Sequence, residues 1–360
     1  MSGIHQFVPM LHRRDAVGEH TRVLRDLLVG AGVTSRIYTE IPDPETADET
    51  LPYRQYEFDA EPGDVLVYQV ATRSQMAGWL VQRQEKLVLN YHSITPPEYF
   101  APWNNSIARL QVGAIDELSV LARRAALGIG VSAFDVGELR LAGCGDTRVI
   151  PVDNLRSPPV PADPSVLELL ARRSAGRGPW WLSVGRLAPN KCHQDTIAAL
   201  FVARENGSPG AHLTIVGSPS EPAYAAALQR YARMLGVADA VEFVCGITEG
   251  ALSARYVSAD VLVMVSEHEG FGVPLLEAMA HGLPVVAYDA GAVAEVMGDA
   301  GVLLDAKSPR RVATEVAGLL ADQARQDELR AAGRARLQSL GLDRAGGDMV
   351  QALVDVAAQP

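Results

Sequence analysis

VLVMVSEHEGFGVPLLEAMAHGLPVVA, residues 261–287, reads as a strand, a polar turn, a helix and a second strand in immediate succession. The run 261–267 opens with uninterrupted apolar residues, which suits a parallel strand covered on both faces. A turn carrying Glu267, His268 and Glu269 follows, with Gly270 and Gly272 on either side of Phe271. Pro274 fits the first turn of a helix, where its missing N–H is harmless. That helix runs through Leu275, Glu277, Met279 and Ala280, and His281-Gly282 ends it. A second apolar run, 284–289, comes at once. Strand, helix and strand in this order are the unit of an α/β parallel sheet.

The same alternation extends in both directions. In the first half, strands are expected at 4–10, 35–40, 64–70, 86–93, 127–134 and 147–152; in the second half, at 180–187, 212–218, 241–246 and 301–305 as well. The segments between them read as amphipathic helices. Val23, Leu24, Leu27 and Leu28 make one apolar face, closed by Gly30 and Gly32. Ser308 reads as an N-cap before Pro309, with Val312, Val316, Leu319 and Leu320 as the stripe that follows. PVDNLRSPPVPADPS (151–165) holds five prolines in fifteen residues, a stiff connector and the expected domain boundary. The expected architecture is therefore α/β, with two doubly wound Rossmann-like domains, residues 1–158 and 159–342, facing a central cleft. The last segment, 343–358, reads as a helix with Val350, Leu353, Val354 and Ala357 inward.

Composition agrees with two globular domains. The chain has 360 residues, 48% hydrophobic and 21% charged, enough apolar material for two cores. No apolar run reaches the roughly 18 residues that a spanning helix needs. MSGIHQFVPM shows no basic head or long apolar stretch of a signal peptide, so a cytoplasmic location is expected. The net charge of −11 is shared evenly: 15 basic and 20 acidic residues before position 161, 17 and 23 after it. Neither half is a basic nucleic-acid arm, and no nucleic-acid partner is expected. Cys144, Cys192 and Cys245 are odd in number and form no C-x-x-C pair. Cys192 beside His193 does not suggest a metal pair, because adjacent helical side chains do not face each other.

An acidic chain binds an anion through a local cluster of donors, and the 266–287 stretch has the right layout. A glycine-bracketed turn feeding a helix N-terminus exposes backbone N–H groups to phosphate or sugar oxygens. Glu269 and Glu277 lie eight apart, so their carboxylates can accept from different hydroxyls of one elongated ligand. In SVGRLAPNKCHQDTI (183–197), Arg186 follows a strand and Lys191 opens the next helix. Two such donors across a turn can grip a diphosphate. Gly18, in RDAVGEHTRVL (14–24), offers a backbone N–H after the first strand. His92, in NYHSITPPEYF (90–100), ends another strand where it can meet a sugar hydroxyl, although a lone histidine is more often structural. The chain has no G-x-x-x-x-G-K-[ST], H-E-x-x-H, G-x-S-x-G or D-x-D sequence. No metal site or cofactor is expected, and the charge of a diphosphate falls to Arg186, Lys191 and backbone donors.

Glu269-GFGVPLL-Glu277 resembles the E-x7-E pattern of the retaining glycosyltransferases of family 4, which have the GT-B fold. SVGRLAPNK resembles the same family's V-G-R-L-x-x-x-K element, and 284–304 resembles the stretch that follows E-x7-E. The resemblance covers essentially the whole chain and is strongest over 180–305. It implies that Arg186 and Lys191 neutralise the donor diphosphate and that Glu269 contacts the transferred sugar, helped by backbone N–H groups of Gly270, Phe271, Gly272 and Val273. It implies that Glu277 binds the ribose diol, Gly18 touches the diphosphate, His92 contacts the sugar near its reacting carbon, and Gly246 and Ile247 lie against the nucleobase. The first domain would then bind the acceptor, the second would bind the donor, and 343–360 would pack back on the first. Two departures stand out: Val17-Gly18 where the family often has paired glycines, and Gln69-Val70-Ala71-Thr72 where histidine is frequent.

The function implied is transfer of a sugar, with retention and without a metal, from GDP-mannose or a UDP-sugar to an acceptor hydroxyl. The acceptor class, whether glycan, lipid-linked or natural product, stays open. A nucleotide-sugar epimerase or hydrolase on the same fold needs further acids around the sugar, and a non-catalytic nucleotide-sugar-binding protein would not need Arg186, Lys191, Glu269 and Glu277 all intact. Arg13, Arg14, Arg22 and Arg25 raise peripheral contact with the inner membrane face, although Asp15, Glu19 and Asp26 among them favour a solvated surface.

Overall fold

The computed structural model describes residues 2–12, 16–151 and 159–359. Arg13, Arg14 and residues 152–158 of the proline-rich connector lie outside the described residues. The chain divides into two compact units, Met1–Ala101 with Asn105–Asn154 and Gly341–Pro360, and Pro102–Asn104 with Leu155–Leu340.

The first unit holds β1 (Ile4–Val8), β2 (Ile37–Thr39), β3 (Leu51–Pro52), β4 (Val65–Val70), β5 (Lys86–Tyr91), β6 (Leu127–Gly130) and β7 (Thr147–Val149). They form one seven-stranded sheet in the order β3-β2-β1-β4-β5-β6-β7, parallel throughout. Every residue of β1 and β4 is buried, as central parallel strands covered on both faces are. The edges differ. β7 leaves Arg148 and Val149 exposed, and β3 is a two-residue strand ending in Pro52. A charge and a proline both blunt an edge against further pairing. β3 is also the strand not expected from the sequence, being too short to show a pattern.

Helix Ala16–Gly30 packs on this sheet through His20, Thr21, Leu24 and Leu28. The expected face is corrected at Leu27, which is 37% exposed. The inner side of its first turns is taken by the buried polar residues His20 and Thr21. The last helix, Leu342–Ala358, buries Met349, Ala352, Leu353 and Val356 in the same core as Ile4, Leu24, Val67 and Val88. Its face is likewise turned from the expected one: Val354 is exposed and Val350 only partly buried.

The second unit holds β8 (Trp180–Val184), β9 (His212–Val216), β10 (Val241–Val244), β11 (Val261–Met264), β12 (Val285–Tyr288) and β13 (Val302–Leu304), in the order β10-β9-β8-β11-β12-β13. All pairings are parallel. Leu213, Ile215, Val261, Val263 and Val286 form its core with Ile197 and Leu200, and with Val312 and Val316 from helix Pro309–Ala321. Ser308 caps that helix by accepting from the Arg311 N–H. Trp103 belongs here because its ring meets Tyr224 edge-on, centroids 5.1 Å apart. Among the described residues, no helix is long and apolar enough to cross a membrane.

Candidate functional site

Strand order in the second sheet reverses between β8 and β11. The crevice beyond the carboxyl ends at such a reversal is where open α/β sheets bind ligands. β8 and β11 are paired neighbours, so the loops that leave them emerge side by side. Two hydrogen bonds stitch the loops together. The Glu267 N–H donates to the Asn190 carbonyl at 2.9 Å, and Asn190 Nδ2 donates to the His268 carbonyl at 3.2 Å. This seam brings Lys191 to Glu269, with Nζ 2.7 Å from both carboxylate oxygens. The pair is largely buried, 17% and 7% exposed at the side chains.

Glu269 is also fixed through its backbone. Its carbonyl accepts from the Ala292 N–H at 2.9 Å. The preceding Gly291 has φ +60°, and a Cβ there would lie 2.2 Å from that carbonyl oxygen. Only glycine fits both the angle and the gap. Beyond Glu269, Gly272 at φ +87° turns the chain into helix Val273–Ala280, with Pro274 in its first turn. Gly270 is half-buried, and Phe271 is buried.

Arg186 is exposed, and no hydrogen bond or ion pair of its guanidinium is found among the described residues. Its backbone, in contrast, is held. The Arg186 carbonyl takes a hydrogen bond from His193 Nε2 at 3.2 Å. A carbonyl only accepts, so Nε2 carries the proton, and Nδ1 accepts from Ser183 Oγ at 3.3 Å. Burial lowers the His193 pKa to about 4, which keeps the ring neutral. His193 is thus a structural brace for the arginine loop.

Below this loop, ligand atoms of Cys192, Asp195 and Glu267 converge within 4.8 Å of one another. The cluster carries its own cation: Lys307 Nζ lies 2.5 Å from Asp195 and 2.8 Å from Glu267. Burial alone would lower the Lys307 pKa, but its bonds to Asp195 and Glu267 raise it.

Glu277, half-buried on helix Val273–Ala280, accepts from the Tyr256 hydroxyl at 2.6 Å. Burial raises its pKa above the usual carboxylate value, and the bond from Tyr256 works the other way. Gly246 and Ile247 follow the edge strand β10 and precede helix Glu249–Ser258, which Thr248 caps.

Gly18 and His92 belong to the first unit. Gly18 is buried in the first turn of helix Ala16–Gly30. His92 directly follows β5 and ends a chain of amides whose direction can be read. The Thr21 carbonyl accepts from Gln6 Nε2 at 2.9 Å, so Gln6 offers its oxygen to Gln69 Nε2, also at 2.9 Å. Gln69 Oε1 then accepts from Asn90 Nδ2 at 2.8 Å and from His92 Nε2 at 2.7 Å. His92 is therefore protonated on Nε2 and bears a lone pair on Nδ1. Burial and the neighbouring His20 lower its pKa to about 3, so the ring stays neutral. The His20 ring meets it edge-on at 5.6 Å.

Residues 172–336 match the family described as Glycosyl transferases group 1. The chain is 31% identical over 298 residues to a D-inositol 3-phosphate glycosyltransferase of Xylanimonas cellulosilytica, covering 79% of this chain and 70% of that one. The chain belongs to the group 1 glycosyltransferases. It is also 36% identical over 192 residues to a GDP-mannose-dependent alpha-(1-6)-phosphatidylinositol monomannoside mannosyltransferase of Mycobacterium tuberculosis, covering 51% of this chain and 48% of that one; it spans about half the length of that relative. In fold, this group 1 glycosyltransferase matches sucrose-phosphate synthase of Thermosynechococcus elongatus with a TM-score of 0.79 at 22% identity, over 99% of this chain and 100% of that one. It matches Anabaena HepE, solved in complex with UDP-glucose, with a TM-score of 0.77 at 17% identity, over 98% and 99%.

Within this family member, Arg186, Lys191, Glu269, the 270–273 turn and Glu277 cluster on the loops and helix at the β8/β11 reversal. Gly246 and Ile247 lie past the edge strand, and Gly18 and His92 sit in the other unit. Sequence reading missed Asn190, Gly291, Tyr256, Lys307, Gln6 and Asn90, and noted Gln69 only as a departure. A signal did exist for the last three, since each is an amide inside a strand whose neighbours are largely apolar. A fully buried amide needs partners.

Proposed function

We propose that the chain is a retaining glycosyltransferase that moves a sugar from a nucleotide-diphosphate sugar to an acceptor hydroxyl. The observation that carries this reading is the buried Lys191–Glu269 pair beside an unengaged Arg186 at a sheet reversal. Family membership favours transfer over epimerisation, hydrolysis or binding alone. The second unit binds the donor. Arg186 and Lys191 offset the diphosphate charge, with no metal required. Glu269 and the N–H groups of 270–273 hold the sugar, Glu277 takes the ribose diol, and Gly246 and Ile247 flank the base. The first unit binds the acceptor; its Gly18 is assigned to a phosphate oxygen and its neutral His92 to a sugar hydroxyl.

In the reaction the acceptor oxygen forms a bond to the anomeric carbon. The bond from that carbon to the phosphate oxygen breaks, and its electron pair leaves with the diphosphate. The acceptor proton passes to the departing phosphate oxygen on the same face. Catalysis then rests on electrostatic stabilisation of the diphosphate and on positioning. The relatives' names make GDP-mannose the first donor to try and UDP-sugars the second. They also put inositol phosphates and phosphatidylinositol glycosides among the acceptors to try, beside other glycans, lipid-linked sugars and natural products.

The test is a thermal-shift panel with GDP, UDP, ADP and their sugars on the wild type and on Arg186→Ala. Native-state binding raises Tm by mass action. One base should give a shift that Arg186→Ala removes. No shift from any nucleotide would sink the donor site.

A further inference from the structure

We propose that Tyr256 is a positioning residue that occupies one carboxylate oxygen of Glu277 so that the other is presented to the ribose hydroxyls. The proposal rests on the donor reading above and adds a residue to which that reading gives no role. Tyr256 lies on helix Glu249–Ser258 and is 1% exposed. Its hydroxyl donates to Glu277 Oε2 at 2.6 Å. Burial and the charge of Glu277 push its pKa well above the ordinary phenol value, so it remains a donor at every working pH.

The main chain of Glu277 is held from the same side. Its carbonyl accepts from the His281 N–H at 3.1 Å and from His281 Nδ1 at 2.7 Å. The His281 ring in turn stacks on Tyr256, with centroids 5.2 Å apart and planes 13° from parallel. The contacts close a loop: phenol ring, imidazole ring, Glu277 carbonyl, Glu277 carboxylate and back to the phenol oxygen. A residue held at both its backbone and one side-chain oxygen has lost its free rotations. Its remaining oxygen, Oε1, has no partner among the described residues. It is left to accept from a donor outside the protein, and a vicinal diol supplies two. Without the phenol, the carboxylate is free to rotate and is more readily protonated in its half-buried setting. A carboxylic acid matches the diol less well than a fixed carboxylate.

The experiment is calorimetric titration of the full chain with GDP and UDP and with their 2′,3′-dideoxy counterparts, for the wild type, Tyr256→Phe and Glu277→Gln, with Tm recorded for each. For whichever base binds, the wild type should prefer the ribose form by at least about tenfold, the scale of a hydrogen bond to a charged group. Tyr256→Phe should narrow that preference to less than about threefold, with dideoxy affinity unchanged. A ratio that stays at the wild-type value in Tyr256→Phe overturns the proposal and leaves the donor reading standing. A wild type that does not distinguish ribose from dideoxyribose overturns the role of Glu277 itself. Should Tyr256→Phe not fold, His281→Leu removes the stacked ring. An unchanged ratio in that variant counts equally against the proposal.

Discussion

In the first unit, the polar groups gathered on β1, β4 and β5 are amides and neutral imidazoles: Gln6, Gln69, Asn90, His92 and, on the adjoining helix, His20. In the second unit, the loops after β8, β11 and β13 gather ammonium, guanidinium and carboxylate groups: Arg186, Lys191, Glu267, Glu269 and Lys307. Both sheets are parallel and each reverses its strand order once, at β1/β4 and at β8/β11, so topology does not set this difference. Depth does. Gln6, Gln69 and Asn90 lie inside strands and are fully buried, where a neutral group is tolerable once its hydrogen bonds are made. The charges of the second unit sit on loops, where opposite signs meet at 2.5–2.8 Å. A neutral chain fixes orientation and tautomer, whereas a charged cluster provides a field for an anion at the cost of depending on every partner.

That dependence sets the largest expected effect. Lys191→Met leaves the buried Glu269 carboxylate without its cation, and breaking such a pair typically costs about 3–5 kcal/mol. Urea unfolding should show that loss, and adding Glu269→Gln should restore most of it by removing the stranded charge. A loss below about 1 kcal/mol would mean that the Asn190 seam, and not the ion pair, holds the two loops.

This pair also marks the limit of what the sequence disclosed. Apolar runs revealed every strand except Leu51–Pro52, because central parallel strands leave a dense signal and a two-residue edge leaves none. Glu269, Glu277, Arg186 and Lys191 stood out through their glycine and proline neighbours. That Lys191 and Glu269 touch was not visible across 78 positions; it follows from the pairing of β8 with β11. Helix faces were read within one residue but turned at Leu27 and Val354; at Leu27 the reason is that His20 and Thr21 take inward places that an apolar count gives to leucine. Gly291 carries no signal in the sequence; its constraint is the carbonyl of Glu269, 2.2 Å from where a Cβ would stand.

The neutral region should respond less, and in a different way. Gln69→Leu removes the acceptor shared by Asn90 and His92 and the donor to Gln6. Unsatisfied buried groups cost about 1–3 kcal/mol each, and with partial relaxation the variant should lose about 2–4 kcal/mol. NMR should also show the His92 ring released from its single tautomer. A variant that keeps both stability and tautomer would disprove the chain of amides as the orienting device.

Acid should separate the units by a smaller margin. His20 and His92 have pKa values lowered by burial to about 4 and about 3, below the unfolded value of about 6.5. Below about pH 6.5 the unfolded chain therefore takes up protons that these folded rings refuse. Stability falls as pH drops from there to about 4 for His20 and about 3 for His92, and above that window the rings contribute no slope. At pH 6 the two rings should account for about 2 kcal/mol, against about 1 kcal/mol for His193 in the second unit. Amide exchange compared at pH 6 and pH 8, corrected for intrinsic rates, should show β4 and β5 losing more protection than β11 and β12. Equal losses would place the acid-sensitive groups elsewhere.

The smallest effect on stability is expected at the residue on which the donor reading leans most. Arg186 is exposed and its guanidinium has no protein partner among the described residues, so Arg186→Ala should change unfolding by less than about 0.5 kcal/mol. Its backbone is held by His193 whatever side chain it bears. Nucleotide-diphosphate affinity should nevertheless fall by about one to two orders of magnitude, the loss of a charge-assisted contact. Lys191 and Arg186 lie five positions apart on one loop, so the comparison within the charged region becomes direct. On that reading Lys191 maintains the fold of the site as well as meeting the ligand, whereas Arg186 serves the ligand alone. If Arg186→Ala destabilises the protein as much as Lys191→Met does, that division fails, and the arginine is as much a part of the loop's scaffold as the lysine.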